Sequence, residues 1–203
     1  QTKGGELLLL KRNNRLEIFN TVTAESTTVS VSTQDVRAGN FSQTGDFVFF
    51  TERVKDQWLV KRYSLADKTQ RLLLQDYMYI QDIADGYVAA DSSGNVWRLD
   101  TDYNRTDLLY QGVLFDLEYQ FIVRDDKLVM AYRTFMGDWI LADINLTSQQ
   151  IWQRSIAFHD FTVPFSIDGS GLNLIFKTNI SSDSENGNIG NRNPEKMSCN
   201  KFI

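Results

Sequence analysis

Four copies of one short pattern run through this sequence: an apolar or aromatic run that is closed by Asn, Ser or Asp. The closing residues are Asn20, Ser64, Asp100 and Asp143. A second short run begins eight residues after each of them, with no gap in any copy, at Thr28, Leu72, Leu108 and Ile151. The residues in between are turn formers. Each copy therefore predicts two consecutive strands joined by a tight turn.

Two more strands precede this pair in most copies. The clearest case is the stretch 159–176, where Asp168-Gly169 separates two β-rich runs. Such a pair is typical of a hairpin, because Gly takes positive φ at no steric cost. Similar pairs of runs lie at 34–50, 81–89 and 115–130. A full unit is therefore four strands, A to D, over roughly 35–45 residues, the size of one propeller blade.

The repeats divide the sequence into five units, of which the first lacks strand A and the last has only A and B. The approximate bounds are 5–31, 34–75, 79–110, 113–156 and 159–178. A sandwich needs no equal repeats, whereas the blades of a propeller pack on equivalent neighbours. With helical periodicity nearly absent, we predict an all-β, β-propeller-like array of about five four-stranded blades.

The incomplete end units leave three arrangements open: a ring closed by both termini, an open partial ring, or part of a longer propeller. The propeller-like domain is predicted to take in residues 1–180. The stretch 181–203 is polar and rich in turn formers at its start, and shows no alternation later. It is predicted to be an irregular or disordered tail.

Composition narrows the classes of function. The 203 residues include 42% hydrophobic and 12% aromatic side chains, which fits a globular domain. The formal charge is −5 and the basic residues are scattered. Direct contact with nucleic acid, which needs clustered Lys and Arg, is therefore not expected. The single cysteine, Cys199, excludes an internal disulfide and a cysteine metal site.

An acidic residue recurs at the predicted start of strand A. These candidate ligand-binding residues are Asp35, Asp82, Asp116 and Asp160. Strand A is the innermost strand of a blade, so four carboxylates at one level would form an acidic ring able to hold a cation or a cationic ligand. The alternative, commoner for turn aspartates, is local: each accepts backbone N–H bonds in its own inter-blade loop. Both roles stay open, and with them whether a metal binds.

The sequence offers no local motif for catalysis. Phosphate-binding glycine loops, the nucleophile elbow and the zinc-binding His-Glu-x-x-His motif are absent. The only histidine, His159, fits an ordinary loop position better than the role of a general base. We therefore predict a non-enzymatic domain with no cofactor.

The four tryptophans lie in predicted C or D strands, and packing between blades is their predicted role. They are Trp58, Trp97, Trp139 and Trp152.

The stretch Phe165-Ser166-Ile167-Asp168-Gly169 resembles the F/W-S-P-D-G turn of TolB-like (WD40-like) β-propeller repeats. Asp160 and Pro164 stand where that repeat often has an acidic residue and a proline, and 41–45 is a weaker copy. Within that group, the units are most similar to the extracytoplasmic part of CadC/ToxR-type regulators. Those are bacterial membrane proteins with a cytoplasmic winged-helix DNA-binding domain, one membrane span and a periplasmic sensor region.

The resemblance implies a periplasmic sensing or interaction domain, tethered to the inner membrane in the full-length chain. The expected partner is another protein or a small ligand, bound at the top of the propeller or in its central channel. Open strand edges on incomplete end units also make a homodimer plausible. Two other functions stay open: a carbohydrate-active enzyme that uses carboxylates in the channel, and a TolB-like envelope scaffold.

Overall fold

A computed structural model describes residues 2–3, 6–12, 14–32, 34–115, 119–124, 126–156, 166–167 and 174–175 of the chain. The regular structure of these residues consists of β-strands and turns. No helix among them has the length and apolar character needed to cross a bilayer. The described residues form four antiparallel four-stranded sheets, the blades of a β-propeller.

Each blade is a meander, in which the four strands follow one another in chain order. Blade 1 contains β1 (Thr2–Lys3), β2 (Leu7–Arg12), β3 (Arg15–Asn20) and β4 (Ser26–Val31). Blade 2 contains β5 (Asp35–Phe41), β6 (Phe47–Val54), β7 (Gln57–Ser64) and β8 (Gln70–Gln75). Blade 3 contains β9 (Tyr77–Ile83), β10 (Gly86–Asp91), β11 (Val96–Leu99) and β12 (Arg105–Tyr110). Blade 4 contains β13 (Tyr119–Arg124), β14 (Lys127–Arg133), β15 (Trp139–Asn145) and β16 (Ile151–Ile156).

The predicted C and D strands are confirmed in all four blades. The number of complete blades is a correction, since the described residues form four rather than about five. Of the fifth unit, the structure describes β17 (Ser166–Ile167) and β18 (Leu174–Ile175), which pair antiparallel as the predicted hairpin requires. The Asp168-Gly169 turn and the predicted tail at 181–203 lie outside the described residues.

The first blade is complete, contrary to the prediction that it lacks strand A. Thr2 and Lys3 pair with Leu8 and Leu7 and add the fourth strand to the sheet. A two-residue strand such as β1 is too short to show an alternating apolar pattern in sequence. A third correction concerns blade 4, where strand C continues two residues beyond Asp143.

The blades pack face to face, so both faces of a middle strand are apolar. In β6, Val48 and Phe50 join a buried cluster with Leu16 of blade 1, while Phe49 joins a cluster with Ile80 of blade 3. Each such side chain contributes about 2 kcal/mol through burial. The sequence therefore shows short continuous apolar runs in the middle strands rather than strict alternation.

A polar side chain caps each turn between strands C and D. The capping residues are Asn20, Ser64, Asp100 and Asn145, and each accepts backbone N–H bonds from the next two to four residues. A residue with left-handed backbone follows in each turn: Ala24, Lys68, Tyr103 and Gln149. In blades 1 to 3 these caps are the polar residues that recur in the sequence pattern, whereas in blade 4 the cap is Asn145, two residues after Asp143.

The turn between strands B and C of blade 3 is built around a buried carboxylate, Asp91. It accepts the backbone N–H groups of Ser93 and Asn95, each at 3.0 Å. Trp97 Nε1 donates at 2.9 Å and Arg105 Nη2 at 3.3 Å. The Arg105 guanidinium carbon also lies 4.4 Å from the centroid of the Trp97 ring. One carboxylate thus holds together three of the four strands of the blade.

This turn also holds the link from blade 3 to blade 4. The carbonyl oxygen of Gly94 accepts the backbone N–H groups of Gly112 and Val113, at 3.0 and 3.1 Å. Val113 is buried in the apolar cluster between the two blades. The position of blade 4 on blade 3 therefore depends partly on this turn.

Candidate functional site

The structure describes two of the four candidate aspartates, Asp35 and Asp82. Asp116 and Asp160 lie outside the described residues, as does His159. Asp35 is the first residue of β5, whereas Asp82 is the sixth of the seven residues of β9. Gln43 follows the end of β5 and contacts Asp82, so the two carboxylates are separated by about 20 Å of strand. These two aspartates do not share one level of the channel.

Asp82 ties blade 3 to blade 2. Both of its carboxylate oxygens lie 3.0 Å from the backbone nitrogen of Gln43, which donates from the A–B turn of blade 2. The buried Gln81 side chain donates to the Phe41 carbonyl at 3.1 Å and also to Asp82. Asp82 thus accepts a backbone N–H bond, as in the alternative to a ligand ring, but the donor belongs to the neighbouring blade and not to its own inter-blade loop.

Asp35 lies at the opposite end of the channel, beside two cations. Its carboxylate is 3.0 Å from Arg37 Nε on the same strand and 3.5 Å from Lys11 Nζ of blade 1. The attraction that a free carboxylate would offer a metal ion is therefore already partly neutralised. The B–C turns of the blades lie at the same end of the sheets as Asp35.

A group of cationic and aromatic side chains converges on Asp35, and we call it the mouth cluster. It comprises Lys11, Asp35, Arg37, Arg53, Trp58 and Tyr119. Strand pairing places three of them in one row across blade 2, since Asp35 is opposite Arg53 and Arg53 is opposite Trp58. Tyr119 begins the innermost described strand of blade 4. The cluster thus joins side chains of blades 1, 2 and 4.

Both arginines of the cluster lie against Trp58. The guanidinium carbon of Arg37 is 5.1 Å from the centroid of that ring, and that of Arg53 is 5.7 Å away. Arg37 is also 5.7 Å from the centroid of the Tyr119 ring. Cation–π contacts at this distance fix the plane of a guanidinium and leave its edge free to donate hydrogen bonds.

Among the described residues, the mouth cluster carries excess positive charge. Its three cations are opposed by Asp35 and by Asp56, which lies 3.0 Å from Arg53 Nη2. Burial raises the pKa of Tyr119 to about 12, so its hydroxyl stays protonated and neutral at physiological pH. A planar guanidinium matches a carboxylate or phosphate with two parallel bonds. The arrangement is therefore suited to an anionic group.

The resolved pKa shifts of carboxylates in the described residues come from hydrogen bonds within turns and between strands. Three carboxylates there have shifted pKa values, and all three are lowered: Asp85 chiefly by a bond from Arg98, Asp100 chiefly by Asn104, and Asp91 by Trp97 and Asn95 against the effect of its burial. A general acid of the glycosidase kind needs a raised value. The same residues contain no group of three His, Cys, Asp or Glu suited to a metal ion.

Sequence reasoning missed most of the mouth cluster. It named Asp35 but not Arg37, two residues later on the innermost strand. Residues two apart on a strand lie on the same face, so this spacing was a signal that the sequence contained. Trp58 packs against the apolar cluster between blades 3 and 4, as predicted, and also serves as the platform for two arginines. Trp152, by contrast, is 51% exposed.

The comparisons with known proteins agree on the fold. No protein family and no curated protein matches the chain by sequence. Among solved structures, the chain is similar to an oligogalacturonate lyase in complex with manganese, at 10% identity and a TM-score of 0.58 over 88% of this chain and 57% of that one. TolB from Acinetobacter baumannii matches at 15% identity and a TM-score of 0.54, over 74% of this chain and 40% of that one.

A third similar structure is an auxiliary nutrient binding protein from Bacteroides thetaiotaomicron, at 11% identity and a TM-score of 0.60. The match covers 86% of this chain and 50% of that one. This chain thus spans between two fifths and three fifths of these three structures. At such identities the similarity establishes the β-propeller fold, including its likeness to TolB. It does not establish an activity, which has to be argued from the site.

Proposed function

We propose that this chain is a non-catalytic binding domain that senses an anionic ligand or partner through the mouth cluster. The role that suits it best is the periplasmic sensing region of a membrane-bound winged-helix regulator of the CadC/ToxR type. TolB is among the similar structures, and one of the others is named as a nutrient binding protein. Two guanidinium groups held against Trp58, with excess positive charge around them, are the observation that carries the proposal.

The geometry supports binding over catalysis for a physical reason. A sensor must bind its ligand more tightly in one state than in another. The mouth cluster draws on blades 1, 2 and 4, so an anion that bridges its cations would favour one relative position of those blades. A glycoside hydrolase on this fold would instead need an acid and a base with separated pKa values.

Replacing Arg37 with Gln is expected to weaken carboxylate binding at least about tenfold, because a neutral amide loses the charge and one of two parallel bonds. Titration calorimetry with citrate and with trigalacturonate measures the effect. Arg62 provides the matched control, since its guanidinium also lies over an aromatic ring, 4.3 Å from the Phe47 centroid, away from the mouth cluster. The Arg62→Gln variant should bind like the wild type.

The same probes separate the competing functions. If the wild type steadily releases shortened products from trigalacturonate and an Asp35→Asn variant does not, the chain is a carbohydrate-active enzyme and the sensor proposal is wrong. The coding sequence upstream of Gln1 supplies the second test. A winged helix and a membrane span there support the regulator, whereas a signal peptide supports a TolB-like envelope scaffold.

A further inference from the structure

An open concavity of about 440 Å³ lies on blade 4, on the sheet rather than at the channel mouth. Its lining comes from the start of strand B, the end of strand C and the start of strand D: Lys127, Asp143, Asn145, Gln150, Ile151 and Trp152. Cross-strand pairing places Asp143 opposite Trp152 and Lys127 opposite Asn145, with all four on one face of the sheet. The volume lies within the range of small-ligand sites.

The first two residues of strand D set blade 4 apart. In blades 1 to 3 these positions hold polar pairs, namely Ser26-Thr27, Gln70-Arg71 and Arg105-Thr106, and all six residues are exposed. Blade 4 has Ile151-Trp152 at the same positions, and each of the two is 51% exposed. Blades 1 to 3 are each followed by another blade, and that blade leaves these positions exposed. Packing against a further blade therefore does not explain why blade 4 has an apolar pair there.

The polar groups around Trp152 offer both donors and acceptors. Lys127 Nζ lies 3.1 Å from Asp143 Oδ2, and Asp143 Oδ1 accepts no bond from the residues that the structure describes. Asn145 uses its Oδ1 atom to cap the turn, and its Nδ2 donors have no acceptor in the described part of the chain. Because Lys127 and Asp143 neutralise each other, the concavity has no net charge to attract an ion.

We propose that this concavity is a binding subsite for a neutral pyranose unit of an oligosaccharide. The indole of Trp152 would pack against the apolar C–H face of the sugar ring. Asp143 would accept bonds from adjacent hydroxyls, and Lys127 and Asn145 would donate to ring or hydroxyl oxygens. A flat apolar surface edged by a paired carboxylate and ammonium matches a polyhydroxylated ring, which has one apolar face and a polar rim.

Saturation-transfer NMR with maltotriose, cellotriose and chitotriose tests this subsite, and the furanose trisaccharide of inulin serves as the negative probe. At least one pyranose trisaccharide should bind, with the largest transfer to ring C–H protons. The Trp152→Ala variant should lower its affinity about tenfold or more, and Trp152→Phe should retain most of it. Asp143→Asn tests the polar side independently and should also weaken binding. Arg71→Ala, at the equivalent position of blade 2, should change nothing.

Three outcomes would overturn the subsite. One is the absence of binding by all three pyranose probes at millimolar concentration. Another is binding that survives both Trp152→Ala and Asp143→Asn unchanged. The third is self-association of the wild type in sedimentation velocity that Trp152→Ala removes, without sugar binding, which would assign the concavity to a second copy of the chain. None of these measurements depends on the Arg37 titration, so the two proposals fail separately.

Discussion

The Asp91→Ala variant is expected to lose about 3 kcal/mol of folding free energy, a large part of the stability of a domain this size. The carboxylate is only 9% exposed and accepts bonds from two backbone N–H groups and three side chains. Alanine would leave the Trp97 and Arg105 donors without their acceptor. Trp97 and Asn95 are only partly exposed, so water replaces their lost acceptor poorly, whereas the Arg105 side chain is 47% exposed and can bind water instead.

Asp100 provides the matched control for this experiment. It begins an equivalent turn, accepting the backbone N–H and the side-chain Nδ2 of Asn104 as Asp91 accepts those of Asn95. Asp100, however, caps an exposed turn, so water can replace its bonds in an Asp100→Ala variant. Urea unfolding followed by tryptophan fluorescence should show a much smaller loss for this variant than for Asp91→Ala. Equal losses would contradict the role assigned to burial at Asp91.

The repeat pattern predicted the blades because its signals are local. The capped turn that follows strand C requires a polar residue such as Asn20 or Ser64 at a fixed position, and such a requirement is visible in sequence. The apolar runs around it are continuous, since neighbouring blades cover both faces of the middle strands. The two-residue strand Thr2–Lys3 has neither signal and is defined only by its pairing with β2.

The site was harder to predict than the fold, for two physical reasons. The A–B turn is five residues long in blade 2 and two residues long in blade 3. An alignment of the units on their aspartates therefore treated Asp35 and Asp82 as equivalent, although they lie at opposite ends of strand A. The mouth cluster also joins residues far apart in sequence, such as Lys11 and Tyr119. Their contacts depend on how the blades pack, and a single sequence carries no record of that.

The Gly94→Ala variant is expected to lose about 3 kcal/mol or more, for two reasons that add. The backbone of Gly94 has φ of +86°, where a side chain is strained. A Cβ atom there would also lie 2.3 Å from the Val113 carbonyl oxygen. Val113 is 4% exposed, so the linker can move away only by disturbing the core between blades 3 and 4.

Gly112 separates the two contributions. Its φ is +91°, close to that of Gly94, but a Cβ atom added there would meet nothing within 4 Å. The Gly112→Ala variant should therefore show the backbone strain alone, a loss of about 1–2 kcal/mol. Urea unfolding of both variants measures the difference, which reports how tightly the turn of blade 3 holds the linker to blade 4. A Gly94→Ala variant no less stable than Gly112→Ala would show that the linker yields, and that blade 4 is positioned by the apolar cluster alone.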